Sequence, residues 1–160
     1  MAKFTAVDER VETKSEKRVR IFLAVLFFIQ TVMTTFPFTQ GVVELENGAK
    51  AYQHITALNL LIQTGGYQEI SSIPLALIGG ILVIFPMVAF FFCVLDSKSR
   101  IKYLISGLCS VVCAVVIVFT LAKVIAIGGI ITLILNVITL FMTMQGLQAT
   151  NMRMKQQEKK

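Results

Sequence analysis

Residues Ile127–Leu147 read IGGIITLILNVITLFMTMQGL, with no Asp, Glu, Lys, Arg or His among them. Such a run has the ~20 residues that an α-helix needs to cross ~30 Å of hydrocarbon. The residues that interrupt its Ile, Leu, Val, Phe and Met are themselves ordered. Gly129, Thr132, Asn136, Thr139, Thr143 and Gly146, continued by Thr150, follow one another in alternating steps of three and four. That repeat keeps one seam of the helix turned toward a partner at a shallow left-handed crossing. Small residues let backbones approach there, and Thr or Asn can hydrogen-bond across the contact.

Three further apolar stretches precede this one, at residues 21–39, 73–95 and 102–121, and apart from Lys102 at the edge of the last they also lack ionisable side chains. The predicted fold is therefore an all-α membrane protein, an antiparallel bundle of four transmembrane helices. Residues 1–20 and 149–160 form basic tails around a membrane domain at 21–148, with an outer loop at 40–72. The short links Asp96–Arg100 and Ala122–Ala126 make the last three spans successive antiparallel neighbours. Spans one and three add polar and small residues of their own: Gln30 and Thr34 share a face, and Ser106 and Ser110 form a small-residue stripe with Ala114. Gln30 is expected to meet the seam of the fourth span through Asn136, a bond worth ~0.6 kcal/mol on average and rarely above ~1.7.

Charge sets the orientation. The chain of 160 residues is 56% hydrophobic and carries a net charge of +6. Of its 15 basic residues, 13 fall before the first span, between the second and third, or after the fourth. Only Lys50 and Lys123 lie on the other side, whereas Glu44, Glu46 and Glu69 make the 40–72 loop mildly acidic. Basic loops resist translocation, so both termini are expected in the cytoplasm. The basic ends are expected to touch anionic lipid headgroups. Aromatic or groove-reading elements beside the charge are missing, which excludes nucleic acid as the partner. Acid–base pairs such as Glu12 and Glu16 against Lys17 and Arg20 suggest a helix running into the first span, with a solvated tail as the plainer alternative.

The outer loop has two readings. Val42–Glu46 and Ala49–Gln53 make a small hairpin about Asn47-Gly48. Alternatively, Ala51, Ile55, Leu58 and Ile62 mark the apolar face of an amphipathic helix over Ala49–Thr64, and this helix is the favoured expectation. Phe36-Pro37-Phe38 should end or bend the first helix, and Pro86 should kink the second. His54, the only histidine, reads as an exposed polar residue.

Several function classes drop out. Cys93, Cys109 and Cys113 all sit within spans, without a nearby histidine, and read as small buried hydrophobes rather than metal ligands or a redox pair. No carboxylate pair, zinc-type spacing or nucleophile beside a base points to an enzyme, and no cofactor is implied. A proton- or ion-coupled carrier would ordinarily place an ionisable group inside the membrane, and none is there. Two classes remain. The first is an accessory or structural membrane protein that assembles with itself or a larger complex through small-residue helix faces. The second is an uncoupled channel or small-solute transporter formed by an oligomer, lined by Asn136 and the threonines. With no organelle address visible, a bacterial plasma membrane is the default location.

Overall fold

The computed structural model of the protein describes residues 13–44, 48–62, 74–95, 101–121 and 125–158. The elements are α1 (Lys14–Met33), β1 (Pro37–Glu44), β2 (Lys50–Thr56), α2 (Ala57–Ile62), α3 (Leu75–Leu95), α4 (Ile101–Val116) and α5 (Ile127–Glu158). A π-helical turn, Ile117–Leu121, continues α4. The chain is predominantly helical. Among the described residues, three helical stretches are long and apolar enough to cross a membrane: Leu75–Leu95, Ile101–Phe119 and Ile127–Met152.

The helix α1 begins in a capping box. Thr13 Oγ1 accepts from the Glu16 amide at 3.3 Å, and Glu16 Oε2 accepts from the Thr13 amide at 2.9 Å. Two of the orphan donors of the first turn are thereby satisfied. The chain is thus helical from Lys14, in line with the charge pairing around Lys17 and Arg20; Glu12 lies outside the described residues.

Its other end stops just before Phe36-Pro37-Phe38, where an end or a bend was expected: the helix closes at Met33, short of the apolar span drawn to residue 39, and Thr34–Phe36 make turns into β1. Proline at 37 disfavours helix in the residue before it. The β-branched Thr34 and Thr35 also turn their hydroxyls onto the carbonyls of Thr31 and Val32. The apolar part of α1 is left as Ile21–Met33. At the rise of an α-helix this part is only about 20 Å long.

The outer segment is a hairpin, which corrects the expected helix over Ala49–Thr64. The strands β1 and β2 pair antiparallel from Pro37↔Thr56 to Glu44↔Lys50, with an irregularity between Pro37 and Thr39. Only Ala57–Ile62 is helical. β-Branched and aromatic residues (Thr39, Val42 and Val43 facing Ile55, Tyr52 and Ala51) favour the pleated pairing over one lone amphipathic helix. Gly48 has φ +76°, the left-handed backbone that glycine adopts without steric cost.

The four long helices close a ring in which α1 packs on α3 and α5, and α4 packs on α3 and α5. At one end of α1, Arg20 Nη1 donates to the carbonyls of Cys93 at 3.0 Å and Val94 at 3.3 Å. A cation on the last carbonyls of α3 favours that helix end and pins α1 antiparallel to it. At the other end, the hairpin and α2 form a lid. Phe38, Ile55, Ala57 and Leu60 are buried against Ile78, Leu82, Cys113 and Ile117. The lid is tied down by backbone bonds from Ala126 N to Phe38 O at 2.9 Å and from Leu58 N to Thr34 O at 3.3 Å, and by a bridge between Thr39 and Ile125.

Within α3, Pro86 is buried in an uninterrupted helix, and Pro74 accepts from the amides of Leu77 and Ile78 at its start. The helix α5 runs to Glu158, well past residue 148 where a tail was expected to begin. At the rise of an α-helix its length is about 48 Å, more than a bilayer core needs. Nothing after Gly146 breaks the helix, because Leu147, Gln148, Ala149, Met152 and Lys155 are all good helix formers.

Candidate functional site

The polar residues singled out along α5 all face inward. Gly129, Thr132, Asn136, Thr139, Thr143, Gly146 and Thr150 are buried, with Asn136 and Thr139 at 0% exposure. The opposite face of the same helix presents Ile127, Ile130, Ile134, Val137, Phe141 and Met144 to the outside, Phe141 at 63%. The partner residues on the other helices are buried too: Gln30 and Thr34 on α1, Ser106 and Ser110 on α4. The bundle thus buries these polar residues alongside its apolar clusters and presents large apolar side chains on the outer faces of its long helices, which fits a hydrocarbon surround.

Hydrogen bonding inside the seam is mostly local. The hydroxyls of Thr132, Thr139, Thr143 and Thr150 donate to the carbonyls of Gly128, Asn136, Leu140 and Gly146, at 2.8–2.9 Å. Asn136 Nδ2 donates to Thr132 O at 3.0 Å. The carbonyl one turn back is the nearest acceptor for a threonine hydroxyl on a helix, and back-bonding of this kind uses it. Side-chain contacts also cross between helices: Ser110 Oγ lies 2.7 Å from Thr139 Oγ1, joining α4 to α5, and Cys93 Sγ lies 3.3 Å from Ser106 Oγ, joining α3 to α4.

The expected bond between Gln30 and Asn136 is not made. Gln30 Oε1 and Nε2 and Asn136 Oδ1 are buried without a hydrogen-bond partner among the described residues. Sharing a helix face sets the direction of a side chain but not its height along the neighbouring helix, so two amides can face one interior and still miss. Each unpaired buried amide group costs on the order of 1–3 kcal/mol.

The glycines of the seam have different partners. A Cβ at Gly129 would lie 2.8 Å from Phe38 O, and one at Gly128 would lie 2.7 Å from Pro37 O. These two glycines let the lid strand rest directly on the start of α5. Gly146 receives the ring of Tyr103 instead, whose Cε1 would be 2.5 Å from a Cβ. Tyr103 belongs to a second apolar cluster with Leu23, Phe27, Ala89, Cys93 and Cys109, at the end of the bundle remote from the lid. The polar layer of Gln30, Asn136, Ser110 and Thr139 thus sits between two apolar clusters.

Cys93, Cys109 and Cys113 are buried free thiols, and Cys113 Sγ lies 3.8 Å from the Ile81 carbonyl. Among the described residues no three His, Cys, Asp or Glu side chains group as metal ligands. His54 is exposed on β2, opposite Gln40. Sequence reasoning missed the contacts of Arg20 with the end of α3 and of Tyr103 with Gly146. For the first, a lone arginine at the edge of an apolar run was the available signal. For the second, an aromatic at the same boundary gave no indication of a glycine far along the chain.

Searches of protein-family models, of curated proteins and of solved structures find no match to this chain. What the geometry defines is a class: a small, predominantly helical membrane protein, with three helices long and apolar enough to span a bilayer and a buried polar layer between two apolar clusters.

Proposed function

We propose that this protein is a non-enzymatic accessory or structural subunit of a plasma membrane, crossing the bilayer four times with both termini cytoplasmic. It would work by binding to another membrane protein or to its own copies. One observation supports this reading over a channel: the polar seam of α5 is turned into the chain's own interior, its hydroxyls engaged with its own carbonyls, between two apolar clusters. A conducting path needs polar groups that exchange partners with a solute, and water to reach them. In a bundle of this kind the small-residue faces are used in packing the chain on itself. Surfaces left for a partner are the hairpin lid, the apolar outer faces of the long helices and the basic ends.

The four crossings follow if α1 and the start of β1 together span the outer part of the membrane. The bond of Arg20 to the end of α3 agrees with this, since it holds the start of α1 beside the end of the second span. Basic residues 14–20 and 98–102 then share the cytoplasmic side.

The discriminating experiment is reconstitution into liposomes, with a parallel mild-detergent purification from native membranes. The expected results are no solute flux above that of empty vesicles and co-elution of a stoichiometric membrane partner or a defined oligomer. Flux that Asn136→Leu abolishes while assembly survives would establish the transporter reading instead.

A further inference from the structure

At the end of the bundle where Arg20 contacts α3, an apolar groove of about 440 Å³ opens between α1 and α3. Ile21, Val25 and Phe28 line one wall, and Phe90 and Val94 line the other. The Phe28 and Phe90 rings, 6.0 Å apart, lie at its deep end. Its size falls within the ~300–1,000 Å³ of sites that hold small ligands.

The sequence of α1 says what kind of molecule fits. Lys14, Lys17, Ile21, Ala24 and Phe28 follow one another in steps of three and four, so they share one face of the helix. The groove therefore runs directly into a basic stripe. Lys14, Lys17 and the adjacent Arg18 are exposed, one to two turns beyond Ile21. Side chains on a helix lean toward its N-terminus, so these cations reach away from the groove, toward the headgroup level. Glu16, the only acidic residue of α1, is engaged with Thr13 N in the capping box.

We propose that this face is a binding site for one anionic phospholipid, the acyl chain lying in the groove between α1 and α3 and the phosphate held by Lys14 and Lys17, with Arg18 beside them. An apolar slot that meets a cluster of cations at one end complements an amphiphile with a negative head. A soluble anion would have no use for the slot, and a neutral lipid none for the cations. The site rests on the membrane reading above, with the start of α1 at the cytoplasmic interface, and makes it more specific.

The test is native mass spectrometry of the full chain, purified in detergent and titrated with phosphatidylglycerol or phosphatidylcholine. One phosphatidylglycerol should be retained over phosphatidylcholine by roughly tenfold or more, from two lysines acting on one headgroup. The double variant Lys14→Gln/Lys17→Gln should lose that preference yet still retain lipid. Val25→Trp, which fills the groove from an exposed position, should lose the retained lipid of either kind. Inorganic phosphate at millimolar concentration should not displace the phosphatidylglycerol. Equal retention of the two lipids, an undiminished preference in the lysine variant, or displacement by free phosphate would overturn the site while leaving the membrane reading intact. A chain that stays monomeric and soluble without detergent would overturn both.

Discussion

Gly79 and Gly80 are neighbours in α3, yet alanine should have opposite effects at the two positions. At Gly79 an added Cβ would meet the backbone of α2: 2.7 Å from the carbonyl carbon of Leu60 and from Leu61 Cα, and closer still to the Leu61 amide nitrogen. Carbon atoms in good contact sit ~3.5–4.0 Å apart, so α2 would have to withdraw by about 1 Å. The atoms in the way are main chain, and no side-chain rotation relieves them. Withdrawal would pull Leu60, which is fully buried, away from Ile78 and Leu82 and loosen the lid. Overpacking of this kind costs ~1–3 kcal/mol, against which alanine gains at most ~1 kcal/mol of helix propensity. Gly79→Ala should therefore destabilise by about 1–2 kcal/mol. At Gly80 the nearest atom is Leu61 Cδ1 at 3.6 Å, an ordinary contact made by a side chain that can move. Gly80→Ala should be neutral or stabilising by a few tenths of a kcal/mol. Equilibrium unfolding of the two variants in mixed micelles, titrated with a denaturing detergent, gives the comparison. A separation of about 1.5–2 kcal/mol, with Gly79→Ala the weaker, is expected. Equal stabilities, or the reverse order, would show that α2 does not lie on α3 at this glycine.

Three more outcomes follow from contacts of the same kind. Gln30→Met removes an amide whose two polar atoms are buried without partners among the described residues. It should raise the unfolding free energy by about 1 kcal/mol, and a loss of similar size would show that Gln30 is in fact bonded. A double-mutant cycle of Ser110→Ala and Thr139→Ala should give a coupling of about 0.6 kcal/mol, and a vanishing coupling would mean that their hydroxyl contact contributes nothing. Gly48→Ala should cost about 1–2 kcal/mol, read as faster amide exchange across β1 and β2, because an L-residue is strained in the left-handed region. Gly48→Asn should cost visibly less, since its short polar side chain tolerates that backbone.

The three helices able to span a membrane were legible because length and the absence of charge are properties of the string itself. The inward face of α5 was legible for a related reason: an ordered interruption of an apolar run at steps of three and four has a direction built into it. Its partners were not. Gly129 receives Phe38 O and Gly146 receives the Tyr103 ring, and nothing in the repeat distinguishes a glycine that admits a strand from one that admits an aromatic. The end of α1 was signalled by Pro37, whereas the apolar span overran it because Phe36, Pro37 and Phe38 remain apolar after the helix has stopped: hydropathy reports burial, not conformation. The hairpin was misread because Ala51, Ile55, Leu58 and Ile62 satisfy helical spacing, whereas Ala51, Gln53 and Ile55 equally satisfy a strand. The hairpin stood as the alternative reading, Val42–Glu46 with Ala49–Gln53, and the pairing found is longer, with β1 from Pro37 and β2 to Thr56. The extension of α5 to Glu158 gave no signal, since polar helix formers beyond a membrane span resemble a tail.

Gln30 and Asn136 raise a question that stability alone does not answer, since polar atoms left unpaired in the interior weaken the bundle. The surround offers a reason to keep them. Lipid tails are as apolar as a core of Leu and Ile, so an entirely apolar helix has little preference for which face it turns inward. Under the four-crossing reading proposed above, placing Gln30 on α1 and Asn136 with four threonines on α5 removes that freedom, because rotating either helix would carry amides and hydroxyls into hydrocarbon, where every polar group is costlier still. The rotation of α1 and α5 is then set by what must avoid lipid, their heights by Arg20 at one end and by the Phe38 carbonyl on Ala126 at the other. On this account Gln30→Met gains stability and loses uniqueness. A cysteine introduced at Val32, exposed on the outer face of α1, should react with a membrane-soluble maleimide in a single phase in the parent chain, and in more than one phase once Gln30 is replaced.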